Sequence, residues 1–196
     1  REETAKKVLS IIIENNIDIF LDPTLLINPE IWHKHAISKQ IKSDYIFTYF
    51  LGLPKNIKEF VDSFALQSKC KIINVYYKKI FINELKHENN LSPQEFIGLI
   101  KSSRYVITNS FHGVVFSLIF HKKFYVITRG NMNSRIFDLL KKLTLEDRII
   151  NEKDILEIKY DINDEINYQK IDTIISKLRI ESEIFLKNAL EIDINN

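Results

Sequence analysis

What most constrains this chain is a rhythm in which short runs of β-branched and aromatic residues alternate with longer stretches whose apolar residues recur at helical spacing. DYIFTYFLG (44–52), CKIINVYY (70–77), YVITNS (105–110) and KFYVIT (123–128) have the composition of buried strands, and the first closes on a glycine. Between the first two lies PKNIKEFVDSFALQSK, whose Ile57, Phe60, Val61, Phe64 and Ala65 share one helical face. LSPQEFIGLIKSSR opens with Ser92 as N-cap, Pro93 at the first helical position and Glu95 three residues after the cap, the pattern of a capping box. HGVVFSLIFH reads as a buried helix and NSRIFDLLKKL as an amphipathic one. At the start, IDIFLDP (17–23) reads as a further strand stopped by Asp22-Pro23, and NPEIWHKHAISK as a helix with Asn28 as cap and Pro29 behind it. The charged stretch NELKHENN (83–90) reads as an exposed loop.

Strands followed by helices of ten or more residues build right-handed βαβ units, and such units make a parallel sheet covered on both faces. The expected fold is therefore α/β, a Rossmann-like three-layer sandwich. The spacing predicts one domain over residues 1–196, with 160–196 a C-terminal helical segment, YQKIDTIISKLRIESEIFLKNAL (168–190), packing back on it. Apolar residues are 45% and charged residues 28%, as in an ordinary globular chain. A net charge of +2 supplies no field for nucleic acid or an anionic membrane. One cysteine, Cys70, excludes an internal disulfide and a multi-cysteine zinc site. No apolar run approaches the roughly 18 to 20 residues of a membrane span. The chain opens on Arg1 rather than methionine, which reads as a fragment or a processed piece.

In this architecture ligands sit beyond the carboxyl ends of the strands. TNSFHG (108–113) falls at such an end, between the strand YVIT and the buried helix. Gly113 permits a tight turn or a close approach, and the first N–H groups of the helix form a natural anion site. His112 beside them is a candidate phosphate ligand or proton donor, and equally a candidate helix cap. Asn109 has the chemistry to hold the turn through an Asx-type bond. Asp22 before Pro23 reads as a loop-shaping residue. His33 and His35, two apart on a helix, point in different directions and make a poor metal pair. Tyr45, Phe47, Tyr49 and Phe50 lack the basic neighbours of a base-stacking surface and fit sheet packing.

SSRYVITNSFHGVVFSLIFHKKFYVI resembles the polysaccharide pyruvyl transferase family, whose members carry a closely similar segment between a strand and a buried helix. REETAKKVL, FLDPTLLINPEIW and NSRIFDLLKKLTLEDRII resemble three further family segments in the same order. The resemblance implies the second half of a GT-B-like fold, with the acceptor-facing first half outside this chain. It implies an enzyme that moves a pyruvyl group from phosphoenolpyruvate onto two hydroxyls of a sugar in a cell-surface polysaccharide or its lipid-linked precursor. The product is a ketal, the fragment alone is inactive, and the donor is a substrate, so neither cofactor nor metal is required. The implied setting is exopolysaccharide synthesis in a bacterial cytoplasm or at the inner face of the membrane, with no nucleic acid partner.

Carried over to this chain, His112 matches the motif histidine as donor-phosphate contact or general acid, and Arg1 matches the arginine that opens the second half. Some members have arginine where this chain has Ser110. There Ser110 and the Gly113 amide are candidate hydrogen-bond donors, with Asn109 beside them and Arg129 or Arg135 supplying charge suited to an anion. Two other readings compete. A sugar-nucleotide glycosyltransferase of GT-B type is weakened by the absence of a glycine-rich phosphate loop in a chain with four glycines. The other is a non-catalytic glycan-binding fragment.

Overall fold

A computed structural model describes residue 6 and residues 20–75, 84–87, 90–128, 134–158 and 161–194; for 84–87 and 191–194 only the backbone is described. Six parallel strands form one sheet in the order β3-β2-β1-β4-β5-β6. They are β1 Tyr45–Tyr49, β2 Lys71–Val75, β3 Glu84–His87, β4 Tyr105–Thr108, β5 Lys123–Thr128 and β6 Ile149–Asn151. The helices are α1 Pro23–Leu26, α2 Pro29–His35, α3 Ile57–Ser68, α4 Pro93–Ser102, α5 Phe111–Ile119, α6 Ser134–Lys142 and α7 Tyr168–Ile194.

The two-residue period of the strands sorts side chains into two cores, which makes the three layers. Tyr45 and Phe47 of β1, Val106 of β4, and Phe124 and Val126 of β5 join the core under α4, α5, α6 and the first half of α7. Ile46, Tyr105, Ile107, Tyr125 and Ile127 face the other way, onto Phe60, Val61 and Phe64 of α3. Each fully buried side chain of this size contributes about 1.5–3 kcal/mol, so the doubly covered sheet is the source of the fold's stability. The fold is the Rossmann-like α/β sandwich that the rhythm implies.

Two sequence expectations change, and one strand is added that the sequence did not announce. Residues 83–90 hold an edge strand, β3, paired in parallel with β2. A short, charged edge held by backbone hydrogen bonds leaves no hydropathy signal. Ile149–Asn151 forms a second edge strand, β6, on β5. Within 17–23, residues 17–19 lie outside the described residues, and no strand forms over 20–22. Instead Asp22 caps α1, its side chain accepting from the Thr24 N–H at 3.0 Å, with Pro23 at the first helical position.

The capping box of α4 is present in full. Ser92 Oγ accepts from the Glu95 N–H, and the Glu95 carboxylate accepts from the Ser92 N–H at 2.9 Å. These bonds, with Lys39 beyond them, hold the Glu95 carboxyl below its ordinary range. A depressed pKa means that this contribution is present at neutral pH and fades as pH falls through the carboxylate range.

Among the described residues, hydrogen bonds tie α7 down as far as Ser182. The Tyr168 hydroxyl donates to Lys122 O, Arg179 Nε donates to Leu25 O at 2.8 Å, and Ser182 Oγ accepts from the Leu21 N–H at 3.3 Å. Ile171 and Ile175 are buried, whereas Ile180, Ile184 and Leu190 are more than half exposed. Arg148 is buried against the Tyr125 ring and ion-paired to Asp147 and Asp164, fastening the 161–166 segment to the sheet. Cys70 is buried, and burial raises its thiol pKa.

Candidate functional site

Strand order turns over between β1 and β4, so the chain leaves these neighbours toward opposite sides of the sheet and opens a crevice at their carboxyl ends. Tyr49 and Thr108 are the last paired residues on that edge. Thr108 Oγ1 donates to Tyr49 O and accepts from the Ser110 N–H at 3.0 Å. Asn109 then bridges the two strand ends. Its Oδ1 accepts from the Leu51 N–H at 2.6 Å, and its Nδ2 donates to Leu51 O and Gly52 O. The Asn109 bond is therefore to a loop on the neighbouring strand, not to its own turn. Those three bonds fix the β1 loop against the start of α5.

Ser110 is buried and is the N-cap of α5, its hydroxyl accepting from the Gly113 N–H at 3.4 Å. Gly113 serves a close approach. A Cβ there would lie 2.7 Å from Thr108 Oγ1 and 2.9 Å from its methyl carbon. The neighbour demanding glycine is thus the end of β4, and the pairing of Thr108 with Gly113 lets helix and strand meet tightly at the turn. No acceptor among the described residues takes the N–H groups of Phe111 and His112. Two backbone donors at the positive end of a nine-residue helix therefore face outward beside the exposed His112 side chain.

Arg135 reaches the same turn from α6. Its guanidinium lies 4.1 Å from the centroid of the Phe111 ring, and its Nη2 is 3.1 Å from Asp22 Oδ2. It is neither a plain surface arginine nor an uncommitted cation; the buried Asp22 carboxylate holds it against Phe111. The structure thus brings Asn109, Ser110, His112, Gly113 and Arg135 to one edge. Arg1 and Arg129 lie outside the described residues, as do Tyr76, Tyr77, Lys78 and Lys79.

On the other flank of His112 a cavity of about 440 Å³ opens between α2, α4 and α5. Trp32, Phe96 and Phe116 line it together with His35. Trp32 is held by an Nε1–H bond to Thr24 O at 3.0 Å and by an edge contact with Phe116, centroids 5.1 Å apart. Phe96 meets both Phe47 and Tyr49 edge-on. That accounts for two of the β1 aromatics as packing groups, and the Tyr45 hydroxyl, donating to Leu99 O at 2.6 Å, is a third. His33 turns away from His35 and packs on Phe120. Sequence reading missed the cavity because its walls come from three segments far apart in the chain; the only signal was the proline-capped start of α4, which places that helix end on the same edge as TNSFHG.

A family model for polysaccharide pyruvyl transferase matches residues 1–131, more than half of the chain and including the whole of TNSFHG. The chain belongs to the polysaccharide pyruvyl transferase family. This is a transferase family. Arg135 lies beyond the matched segment, whereas Trp32 and the α4 wall of the cavity lie within it. Among curated proteins, none matches the sequence. Among solved structures, the chain is similar to one titled as the glycotransferase of kitacinnamycin, at 12% identity and a TM-score of 0.48. The match covers 76% of this chain and 43% of that one, so the chain spans under half the length of that protein. No helix among the described residues is long and apolar enough to cross a membrane.

Proposed function

We propose that this chain is the donor-binding half of a two-halved pyruvyl transferase, which moves the pyruvyl group of phosphoenolpyruvate onto a sugar of a cell-surface polysaccharide as a ketal. The observation that carries the reading is the exposed His112 beside the outward N–H groups of Phe111 and His112 at the switch point of the sheet. Backbone N–H groups at a helix start suit a phosphate, and an imidazole within reach suits either a hydrogen bond to that phosphate or a proton transfer.

In the proposed reaction the methylene carbon of the donor takes a proton and the adjacent carbon becomes electrophilic. One sugar hydroxyl adds to that carbon and loses its proton. The carbon–oxygen bond to phosphate breaks, inorganic phosphate departs, and the second hydroxyl closes the ketal. His112 acts on the donor, as the acid at the methylene carbon or as a contact to the leaving phosphate. Ser110, Gly113 and Asn109 set the turn that presents these donors. Arg135, fixed by Asp22 on the Phe111 ring, adds positive charge beside the turn, and Arg1 and Arg129 are the further arginines proposed for the donor carboxylate and phosphate. Family membership supports a sugar acceptor, the reaction needs no metal or organic cofactor, and a cytoplasmic setting follows from the donor.

Calorimetry on the complete transferase separates this from a nucleotide-sugar enzyme. Saturable binding of phosphoenolpyruvate, competed by inorganic phosphate, is the expected result. Binding of a nucleotide sugar in its place would overturn the proposal.

A further inference from the structure

The cavity beside His112 has the wrong chemistry for the donor. Phosphoenolpyruvate carries a phosphate and a carboxylate, and an anion of that kind needs cations or several N–H groups around it. No Lys, Arg, Asp or Glu among the described residues lines this space. Its walls are instead Trp32, Phe96 and Phe116, and its polar groups are His35, Gln94 and His112. Those three side chains make no hydrogen bond to another described residue, so their donors and acceptors are available to a ligand. Aromatic faces with a few hydrogen-bonding side chains and no carboxylate, lysine or arginine suit a neutral ligand that is apolar on its ring face and hydroxylated around its rim, which describes a pyranose. At about 440 Å³ the space holds one or two sugar rings.

We infer that this cavity is an acceptor subsite, in which a neutral hexose unit lies against the Trp32 and Phe96 rings with its hydroxyls toward Gln94, His35 and His112. The inference rests on the proposed pyruvyl transfer for its biological meaning and on the lining alone for its chemistry. His112 is the shared wall. A sugar seated here has hydroxyls at the residue that also faces the donor, which is the juxtaposition that ketal formation requires. The donor-binding half would then hold part of the acceptor as well, rather than leaving that task wholly to the other half.

Trp32 is the only tryptophan in the 196 residues, so its emission reports on this cavity without labelling. Titrating the chain with a panel of neutral methyl hexopyranosides should give a saturable emission change with at least one of them, in the millimolar range usual for a single sugar ring. Gln94→Ala, which removes an exposed side chain and keeps the backbone, should weaken that binding about fivefold to tenfold with circular dichroism unchanged. Ion-exchanged phosphoenolpyruvate should leave the glycoside titration in place. No emission change with any glycoside, or equal binding in Gln94→Ala, overturns the subsite, as does direct competition by phosphoenolpyruvate. The two readings fail separately. Glycoside binding without calorimetric phosphoenolpyruvate binding keeps the subsite and removes the donor assignment, and the reverse pattern does the opposite.

Discussion

Replacing His112 by alanine in the complete transferase is expected to lower pyruvyl ketal formation by about a hundredfold or more, the usual range for losing a group that transfers a proton in the transition state. Folding should hardly change. The His112 side chain is exposed and its one ring contact among the described residues is with Phe111, with centroids 5.6 Å apart, so its removal leaves no cavity and strands no buried polar group. The helix start would survive too, because the cap is Ser110 and the close contact is between Gly113 and Thr108. A pH–rate profile distinguishes the two roles proposed for the imidazole. If His112 supplies the proton, one limb of the wild-type profile disappears in His112→Gln; if it only binds phosphate, the profile keeps its shape and KM for phosphoenolpyruvate rises. Turnover in His112→Ala equal to wild type would reduce the residue to a surface position on α5.

The second large effect concerns Gly98. Alanine inside a helix is ordinarily about 1 kcal/mol better than glycine, which on propensity alone makes Gly98→Ala a stabilising change. The structure predicts the reverse. A Cβ at this position would lie 1.9 Å from Ile37 O and 2.5 Å from Ile37 C, which are backbone atoms without a rotamer to escape into. The same crossing is pinned by the Ile37 N–H, which donates to Gln94 O at 3.0 Å. Segment 36–38 would have to lift off α4 and lose that bond. Overpacking of this kind costs about 1–3 kcal/mol and sometimes more, and a lost backbone bond adds about 1 kcal/mol. For a chain of this size that corresponds to a fall in the midpoint of thermal unfolding of roughly 5 to 15 °C. The strain lands next to His35, so glycoside binding at the cavity should weaken as well. A raised unfolding temperature in Gly98→Ala would mean that the crossing of 36–38 over α4 is wrongly placed.

Gly98 also marks where the sequence stops being legible. Strands β1, β2, β4 and β5 announce themselves because each is buried on both faces and is therefore rich in β-branched and aromatic residues. Helix α3 announces itself by period, and α4 by period and its capping box. β3 carries the sequence ELKH and is held by backbone pairing with β2, which composition does not record. The turn at 108–113 was readable as a ligand edge, because a strand-to-helix switch in a parallel sheet has only one side where loops meet. Its internal wiring was not. Asn109 bonds to residues 51 and 52, reached only through the β1–β4 pairing, and Gly113 is glycine on account of Thr108. Arg135 could be nominated from its charge, yet its partner Asp22 is 113 positions away, and no spacing rule links them. The aromatic cavity is the extreme case. Trp32, Phe96 and His112 sit on three helices, and their convergence is a property of how α2 and α4 lie across α5.

The same geometry gives the outer half of α7 a plain description. Period predicted a long amphipathic helix packing back over the domain, and hydrogen bonds do hold it there from Tyr168 to Ser182. Beyond that point Ile184, Phe185, Leu186 and Leu190 are exposed, with Phe185 stacked on Phe20 at 4.1 Å. The apolar spacing is continuous across both halves, so spacing alone does not tell the buried positions of α7 from the exposed ones.

Phosphorus NMR on the complete transferase, supplied with phosphoenolpyruvate and a methyl hexopyranoside that shifts Trp32 emission, tests the central claim most directly. The expected result is that the phosphoenolpyruvate resonance declines as inorganic phosphate grows, that a pyruvyl ketal of the glycoside accumulates in equal amount, and that both changes stop in His112→Ala. An unchanged phosphoenolpyruvate resonance, in a preparation that instead consumes a nucleotide sugar, would contradict it.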